Sequence, residues 1–236
     1  MTRRVRTEEL ALVQGWDDTR KALAAWQRTP GRVVGPWALG AFVVALALLG
    51  TVLLVAVVVR PDPSGYAFPG VSHRADLGDF AHVLYRNGLV LALHALACVA
   101  GFIAGSSLPK VAEGYSGVWR TIHEKAGPLA IGFVLAATVF SLATQAFALG
   151  HIAADLSWRL DIAPSTLVLG LLPHALPELT ALFLPLAAWT LASRRGEWKN
   201  LLAATVVTVA IAVPILVATA AVETWLSPLF LRHLAG

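Results

Sequence analysis

The sequence contains little cysteine and little charge. Cys98 is its one cysteine in 236 residues, which excludes an intrachain disulfide and a cysteine-based metal cluster. Asp, Glu, Lys and Arg together make up 14% of the residues, against about 25% in a typical soluble domain. We find neither an internal repeat nor a basic groove with stacking aromatic residues, so the sequence supports neither a repeat architecture nor nucleic-acid binding.

Hydrophobic residues make up 57% of the chain, and its mean hydropathy is +0.71. Each crossing of a bilayer by a helix needs about 20 apolar residues. Five segments meet this length: 37–59, 84–104, 128–149, 166–192 and 201–222. The sequence therefore predicts an all-α fold, a polytopic transmembrane helical bundle over residues 36–236, with a cytoplasmic or interfacial amphipathic helix in residues 1–35.

The N-terminal segment is polar and basic, and residues 7–28 place Leu12, Trp16, Leu23 and Trp26 on one side of a helix. We expect this helix to lie on the membrane surface rather than to dock on a soluble domain. We expect no cleavable signal, because the first apolar run is too long for one. Thirteen Lys and Arg residues flank one side of the predicted spans and five flank the other, which predicts a cytoplasmic N-terminus.

The predicted span 166–192 contains two ionisable residues, His174 and Glu178. An ionisable side chain in hydrocarbon costs at least ~2.5 kcal/mol, so it is usually paired, cavity-facing or functional. Their spacing of four residues places them on one face of a helix. Pro173 and Pro177 lie on either side of His174. Because proline has no backbone N–H, we expect this fourth span to be broken there.

Polar residues of four different spans reach similar depths. Counting about 1.5 Å per residue from the cytoplasmic ends puts them in the outward half of the bilayer; they are Asn87, Gln145, His174, Glu178 and Glu223. Burial in one place is favourable if each group finds a partner in another, so the sequence predicts one polar cluster that opens outward. His174, Glu178 and Glu223 are also a candidate site for zinc or another divalent metal, although a single histidine is a weaker signal than HExxH.

Two further segments favour contacts with neighbours. Gly101 and Gly105 are four residues apart, which lets another helix come close; that helix could belong to the same chain or to a second copy in a homo-oligomer. The loop 108–126 contains Tyr115 and Trp119 among apolar residues at helical spacing. This pattern predicts a short interfacial helix that either docks a partner protein or simply connects two spans.

Three stretches of the chain resemble the stage II sporulation protein M family, over about residues 80–230. LLPHALPELTALFLPLAAW resembles its histidine and glutamate motif, FAHVLYRNGLVLALHALACVAGFIAG its asparagine-bearing span, and VATAAVETWLSPLF its ending. Ala175 departs from the glycine that the family often has. The matched positions are Asn87, Pro173, His174, Glu178, Glu223 and Pro228.

The resemblance implies a bacterial integral protein of the cell (inner) membrane that works in a larger assembly. Members similar to this chain act with cell-wall hydrolases in sporulation, and relatives are encoded with ATP-binding transport subunits in circular bacteriocin production. The resemblance therefore implies protein partners of these kinds and assigns no chemistry.

Three hypotheses from different classes follow. The first is a non-enzymatic membrane subunit of an export or envelope-remodelling complex, in which the polar cluster is a structural lock or lines a passage. The second is an intramembrane metal-dependent peptidase or peptide cyclase that uses His174, Glu178 and Glu223. The third is a pore or small-solute transporter, for which polar groups beside a broken helix are the usual sign.

Overall fold

The computed structural model of the chain describes residues 11–62, 68–107 and 116–235. These residues form eight α-helices and no β-sheet, which confirms the all-α prediction. In chain order they are α1 (Ala11–Trp26), α2 (Pro30–Val58), α3 (Leu77–Phe102), α4 (Gly117–Glu124), α5 (Ala126–Arg159), α6 (Pro164–Arg195), α7 (Leu201–Ala221) and α8 (Ser227–Leu234). A π-helical segment, Ile103–Ser107, extends α3, and a short 3₁₀ turn, Trp198–Asn200, precedes α7.

Five helical stretches in the described part of the chain are long and apolar enough to cross a membrane, which confirms the number of predicted spans. They are Pro30–Val58, Leu77–Gly105, Ile131–Arg159, Pro164–Arg195 and Trp198–Leu234. Each has between 29 and 37 residues, more than the roughly 20 that a bilayer requires. The helices therefore continue past the predicted ends of the apolar runs, most clearly at Arg159, where α5 stops.

The predicted break in the fourth span is wrong. The helix α6 runs without interruption from Pro164 to Arg195 and includes Pro173 and Pro177. A proline in a helix interior removes one hydrogen bond and crowds the preceding turn, but membrane helices tolerate this because their neighbours compensate for the freed groups.

The last span has a local irregularity, although its helix is continuous. There α7 passes into a π-helical turn, Val222–Leu226, in which the N–H of Ser227 bonds the carbonyl of Val222, five residues back. The next residue, Pro228, lies in the first turn of α8 and has no N–H to donate. This turn therefore contains one residue more than a regular α-helical turn. It includes Glu223, which was predicted to belong to the polar cluster.

The helices divide into two compact units. Unit 1 consists of the described residues of Met1–Gly40, Ala92–Ala136 and Leu184–Ala210. Its core contains Trp189, Leu201 and Phe102, which are at most 2% exposed. In this unit α1 packs through its small residues, since a side chain at Gly15 would overlap Leu202 and Phe102.

The other face of α1 carries Trp16, which is 64% exposed. The face of α1 that contacts the rest of unit 1 is therefore the one with Gly15, Thr19 and Ala22, of which the last two are buried. The expected position of this helix on a membrane surface stays a prediction.

Unit 2 consists of the described residues of Ala41–Leu91, Ala137–Phe183 and Ile211–Gly236. Its buried core includes Leu167, Phe183 and Leu216. Close packing between its helices is visible at Gly150, where an added side chain would overlap Val55. Every residue of the candidate functional site belongs to this unit.

Candidate functional site

Unit 2 contains a cavity of about 300 Å³. Its walls are mainly apolar side chains of α2, α5 and α6, for example Leu48, Ile152 and Leu171. Its polar lining residues are few: Asp79, His174, Glu178, Glu223, Thr224 and Ser227. A small, mostly apolar cavity with a few convergent polar groups has the character of a ligand-binding site.

The His174 imidazole contacts Ser227, the first residue of α8. Its Nδ1 atom lies 2.7 Å from the Ser227 hydroxyl oxygen, and both residues are 6% exposed. If the hydroxyl donates, His174 carries its proton on Nε2; if the imidazole donates, the proton is on Nδ1. Either arrangement fixes the ring against α8 and gives two buried polar groups the partner that burial requires.

The Glu178 carboxyl lies one helical turn from His174 and beside three other polar side chains. These are Glu223, Asn87 and Thr219. The Asn87 amide approaches the carboxyl without completing a hydrogen bond, since Asn87 Nδ2 and Glu178 Oε2 are both buried and without a partner. Thr219 instead donates to the carbonyl of Leu216 at 3.3 Å.

The charge at this end of the cavity is acidic. The Glu223 carboxyl is within electrostatic range of the Glu178 carboxyl and of the Arg86 guanidinium, while Asp79 contacts His73 at 3.3 Å. No lysine or arginine is among the described lining residues. The described lining therefore offers acceptors and hydroxyls on an apolar wall, and no cationic side chain for an anionic ligand.

Thr224 also lines this cavity, and its buried hydroxyl has no partner among the described residues, although the residue is only 3% exposed. In a regular helical turn, Thr180 satisfies its hydroxyl on the carbonyl of Leu176. Thr224 lies in the π-helical turn instead. Its hydroxyl is therefore a buried donor that no described protein group uses.

A loop segment covers this end of α8. Phe68, Pro69 and Val71 line the cavity, and the backbone of Gly70 has a φ of 74°. A Cβ at Gly70 would overlap the ring of Pro228, so a glycine is required both by the conformation and by the contact. The Arg232 guanidinium donates to the carbonyl of Val71 at 3.4 Å, which holds the loop to the helix.

Of the five residues predicted to cluster, the structure brings together four and leaves out Gln145. The Gln145 amide donates to Ser141 on its own helix, at 2.9 Å, in an exposed hydrogen bond. It matches the others in depth along the helix but not in the direction of its side chain. The same α5 contributes Ile152 and Leu156, and not Gln145, to the cavity wall.

The candidate metal set is not assembled. Within residues 11–62, 68–107 and 116–235, no three His, Cys, Asp or Glu side chains are placed to hold one ion. His174, Glu178 and Glu223 therefore do not form a zinc or other divalent metal site among the described residues.

The packing glycines lie in unit 1. A Cβ at Gly101 would overlap the indole of Trp189, and one at Gly105 would overlap the indole of Trp198. The close neighbours of both glycines are thus large aromatic rings of the same chain. No second copy is needed to explain either residue.

The predicted docking segment is described only in part. Tyr115 lies outside the described residues, as does most of the loop before it. The helix α4 exposes Val118, Trp119 and Ile122, at 74%, 64% and 47%. Because Ile122 is four residues after Val118 and three after Trp119, the three side chains lie on one side of the helix.

Sequence reasoning missed two residues of the site, Ser227 and Thr224. Both lie within VETWLSP, between Glu223 and Pro228, which were singled out. The proline was the usable signal, because a helix that reaches Pro228 loses a donor and must adjust in the preceding turn.

Comparison of the chain with family models, with curated proteins and with solved structures finds no match.

Proposed function

We propose that this protein is a membrane subunit of an export or envelope-remodelling complex, and that unit 2 holds an apolar part of the cargo. The observation that carries the proposal is the cavity of about 300 Å³ with apolar walls and a polar end. This volume is at the lower limit of small-molecule sites, which span about 300–1,000 Å³. An amphiphilic molecule, or one apolar segment of a larger one, suits such a site.

The other two hypotheses receive less support. A metal-dependent peptidase or cyclase needs three protein ligands around one ion, and the described residues offer no such group. A pathway for small ions or hydrophilic solutes needs polar walls, whereas most of the lining side chains are apolar.

The helix α4 supplies a candidate surface for a partner. Its exposed face, formed by Val118, Trp119 and Ile122, suits insertion into an apolar groove of a second protein. The predicted topology puts this helix in the cytoplasm, where an ATP-binding subunit would be. The resemblance to the stage II sporulation protein M family stays a prediction, and it is the source of this class of partner.

The partner is tested by affinity purification of the tagged chain after crosslinking in its own host. We expect an ATP-binding protein to co-purify with the wild type and to be lost with Trp119→Asp, which places a charge on the apolar face. The matched control is Thr121→Asp, a change of an exposed residue off that face. If both variants keep the partner, or if no ATP-binding protein is recovered from the wild type, this part of the proposal is wrong.

The cavity is tested with a photoreactive alkyl lipid added to the protein in nanodiscs. Crosslinks should map to the lining of the cavity and should fall several-fold in Ala175→Phe, which fills it. Ala143→Phe changes an exposed alanine outside the cavity and should crosslink like the wild type. Equal crosslinking in all three proteins would mean that the lipid contacts only the outer surface.

A further inference from the structure

The contact between Ser227 and His174 has the geometry of a nucleophile beside a general base. The hydroxyl oxygen and Nδ1 are 2.7 Å apart, within the roughly 2.6–3.2 Å over which a base can take a proton. Both residues also line the cavity of unit 2. A ligand in the cavity therefore meets a hydroxyl that already has a proton acceptor.

The same end of the cavity supplies a hydrogen-bond donor for an oxyanion. Thr224 is three residues before Ser227, lines the cavity and has a buried hydroxyl without a partner. An oxygen that gains negative charge when a carbonyl is attacked needs such a donor, placed before the reaction. An unpartnered buried hydroxyl costs about 1–3 kcal/mol, and binding of an oxyanion would remove that cost.

We propose that Ser227, His174 and Thr224 form a site for acyl transfer from esters that carry a long apolar acyl chain. The apolar walls of the cavity select the chain, and the absence of lysine and arginine from its described lining disfavours an acyl group with a second negative charge. This inference goes beyond the proposed function, because it assigns a covalent step to the cavity.

The step balances without a cofactor. Ser227 Oγ attacks the ester carbonyl while its proton moves to His174 Nδ1, and the carbonyl oxygen becomes an oxyanion bonded by Thr224 Oγ1. The carbon–oxygen bond to the leaving alcohol then breaks, and the alcohol takes the proton from His174. Water, or a second alcohol, attacks the acyl-Ser227 ester in the reverse sense and releases the acyl group.

The test is covalent labelling of the full-length protein in lipid nanodiscs with a long-chain alkyl fluorophosphonate. This probe reacts with a serine whose hydroxyl is activated by a base, and it releases fluoride. Peptide mapping of the wild type should find the adduct on Ser227, and p-nitrophenyl octanoate should compete with the probe. This result does not depend on the folding of any variant.

Variants then distinguish a Ser227 hydroxyl that is activated by a base from one that is only accessible to the probe. His174→Gln should slow labelling by at least about 100-fold, because a general base contributes about 10²–10⁴. Thr224→Val should slow it by about 10²-fold through loss of the oxyanion donor, and Thr224→Ser should restore most of the rate. The control Ser157→Ala removes another buried serine, one that donates to the carbonyl of Ala154 and lies outside the cavity; it should label at the wild-type rate.

Two results would overturn the inference. One is a folded wild-type protein without an adduct on Ser227, and the other is a His174→Gln variant that labels as fast as the wild type. Neither result bears on the partner that α4 binds or on crosslinking of alkyl lipid in the cavity, so the proposed function can stand when this inference fails.

Discussion

The hydrogen bond between His174 and Ser227 predicts an asymmetric pair of stability losses. Ser227→Ala removes the partner of a nearly buried imidazole, and an unsatisfied buried polar group costs about 1–3 kcal/mol. His174→Phe leaves the Ser227 hydroxyl, which can turn to a carbonyl of the preceding turn as Thr180 and Thr205 do. We therefore expect His174→Phe to lose less through hydrogen bonding, and the double variant to lose less than the sum of both.

The difference is measured as a double-mutant cycle. The free energy of unfolding of the wild type, Ser227→Ala, His174→Phe and the double variant is taken from denaturant titrations in mixed micelles. We expect a coupling energy of about 1 kcal/mol, the net value of a buried hydrogen bond. Substitutions at residues that do not contact each other usually change the free energy of unfolding additively, to within about 0.5 kcal/mol. If the two single losses add to the loss of the double variant within that margin, the two side chains do not stabilise each other.

Two glycine predictions share one control. Gly70→Ala should destabilise unit 2 by more than about 1 kcal/mol, from the left-handed conformation alone, with a further loss from overlap with Pro228; a lower midpoint of thermal unfolding checks it. Gly101→Ala should cost about 1–3 kcal/mol, because the new methyl group overpacks the buried indole of Trp189, and its loss is measured as the denaturant midpoint. Gly88→Ala, on the same helix as Gly101 with no atom within 4 Å of the new Cβ, should be neutral or stabilising by up to about 1 kcal/mol. A loss at Gly88 as large as at Gly101 would contradict the packing argument.

The five spans could be predicted because length and hydropathy alone determine them. Apolar residues occupy whole helices here, so a count of about 20 residues finds each crossing. The ends were less accurate: α3 begins at Leu77 and α5 continues to Arg159. Beyond the apolar core, helix ends depend on what each turn packs against. In α5 the last turns are buried at Ala153, Ala154 and Leu156, which composition does not reveal.

The polar cluster was predicted from depth, and depth gives only one of two coordinates. Successive residues of a helix point in directions that differ by about 100°. The height of a residue in the membrane therefore does not tell whether its side chain faces a cavity or the lipid. Glu178 and Glu223 lie close enough for their carboxyl groups to interact. Gln145 shares only the height, and its amide bonds Ser141 on the same helix.

The rule that proline interrupts a helix predicted a break in α6 that is absent, and it did not lead us to the π turn before Pro228. Pro173 and Pro177 lie inside a 32-residue helix, whose many remaining hydrogen bonds and buried side chains outweigh the few that they remove. Pro228 is the second residue of α8 and directly follows Ser227, whose N–H bonds Val222 five residues back.

A helix is easiest to rearrange at its end, because fewer bonds on one side resist the change. Thr224 lies within this π turn, and its hydroxyl has no partner among the described residues. Thr224 and Ser227 therefore lie just before a proline within the last helical stretch, and replacing Pro228 with alanine should restore regular α-helical bonding there. Proton NMR of the Thr224 and Ser227 amides would then show Ser227 bonded four residues back, and an unchanged five-residue bond would mean that tertiary contacts, and not the proline, hold the π turn.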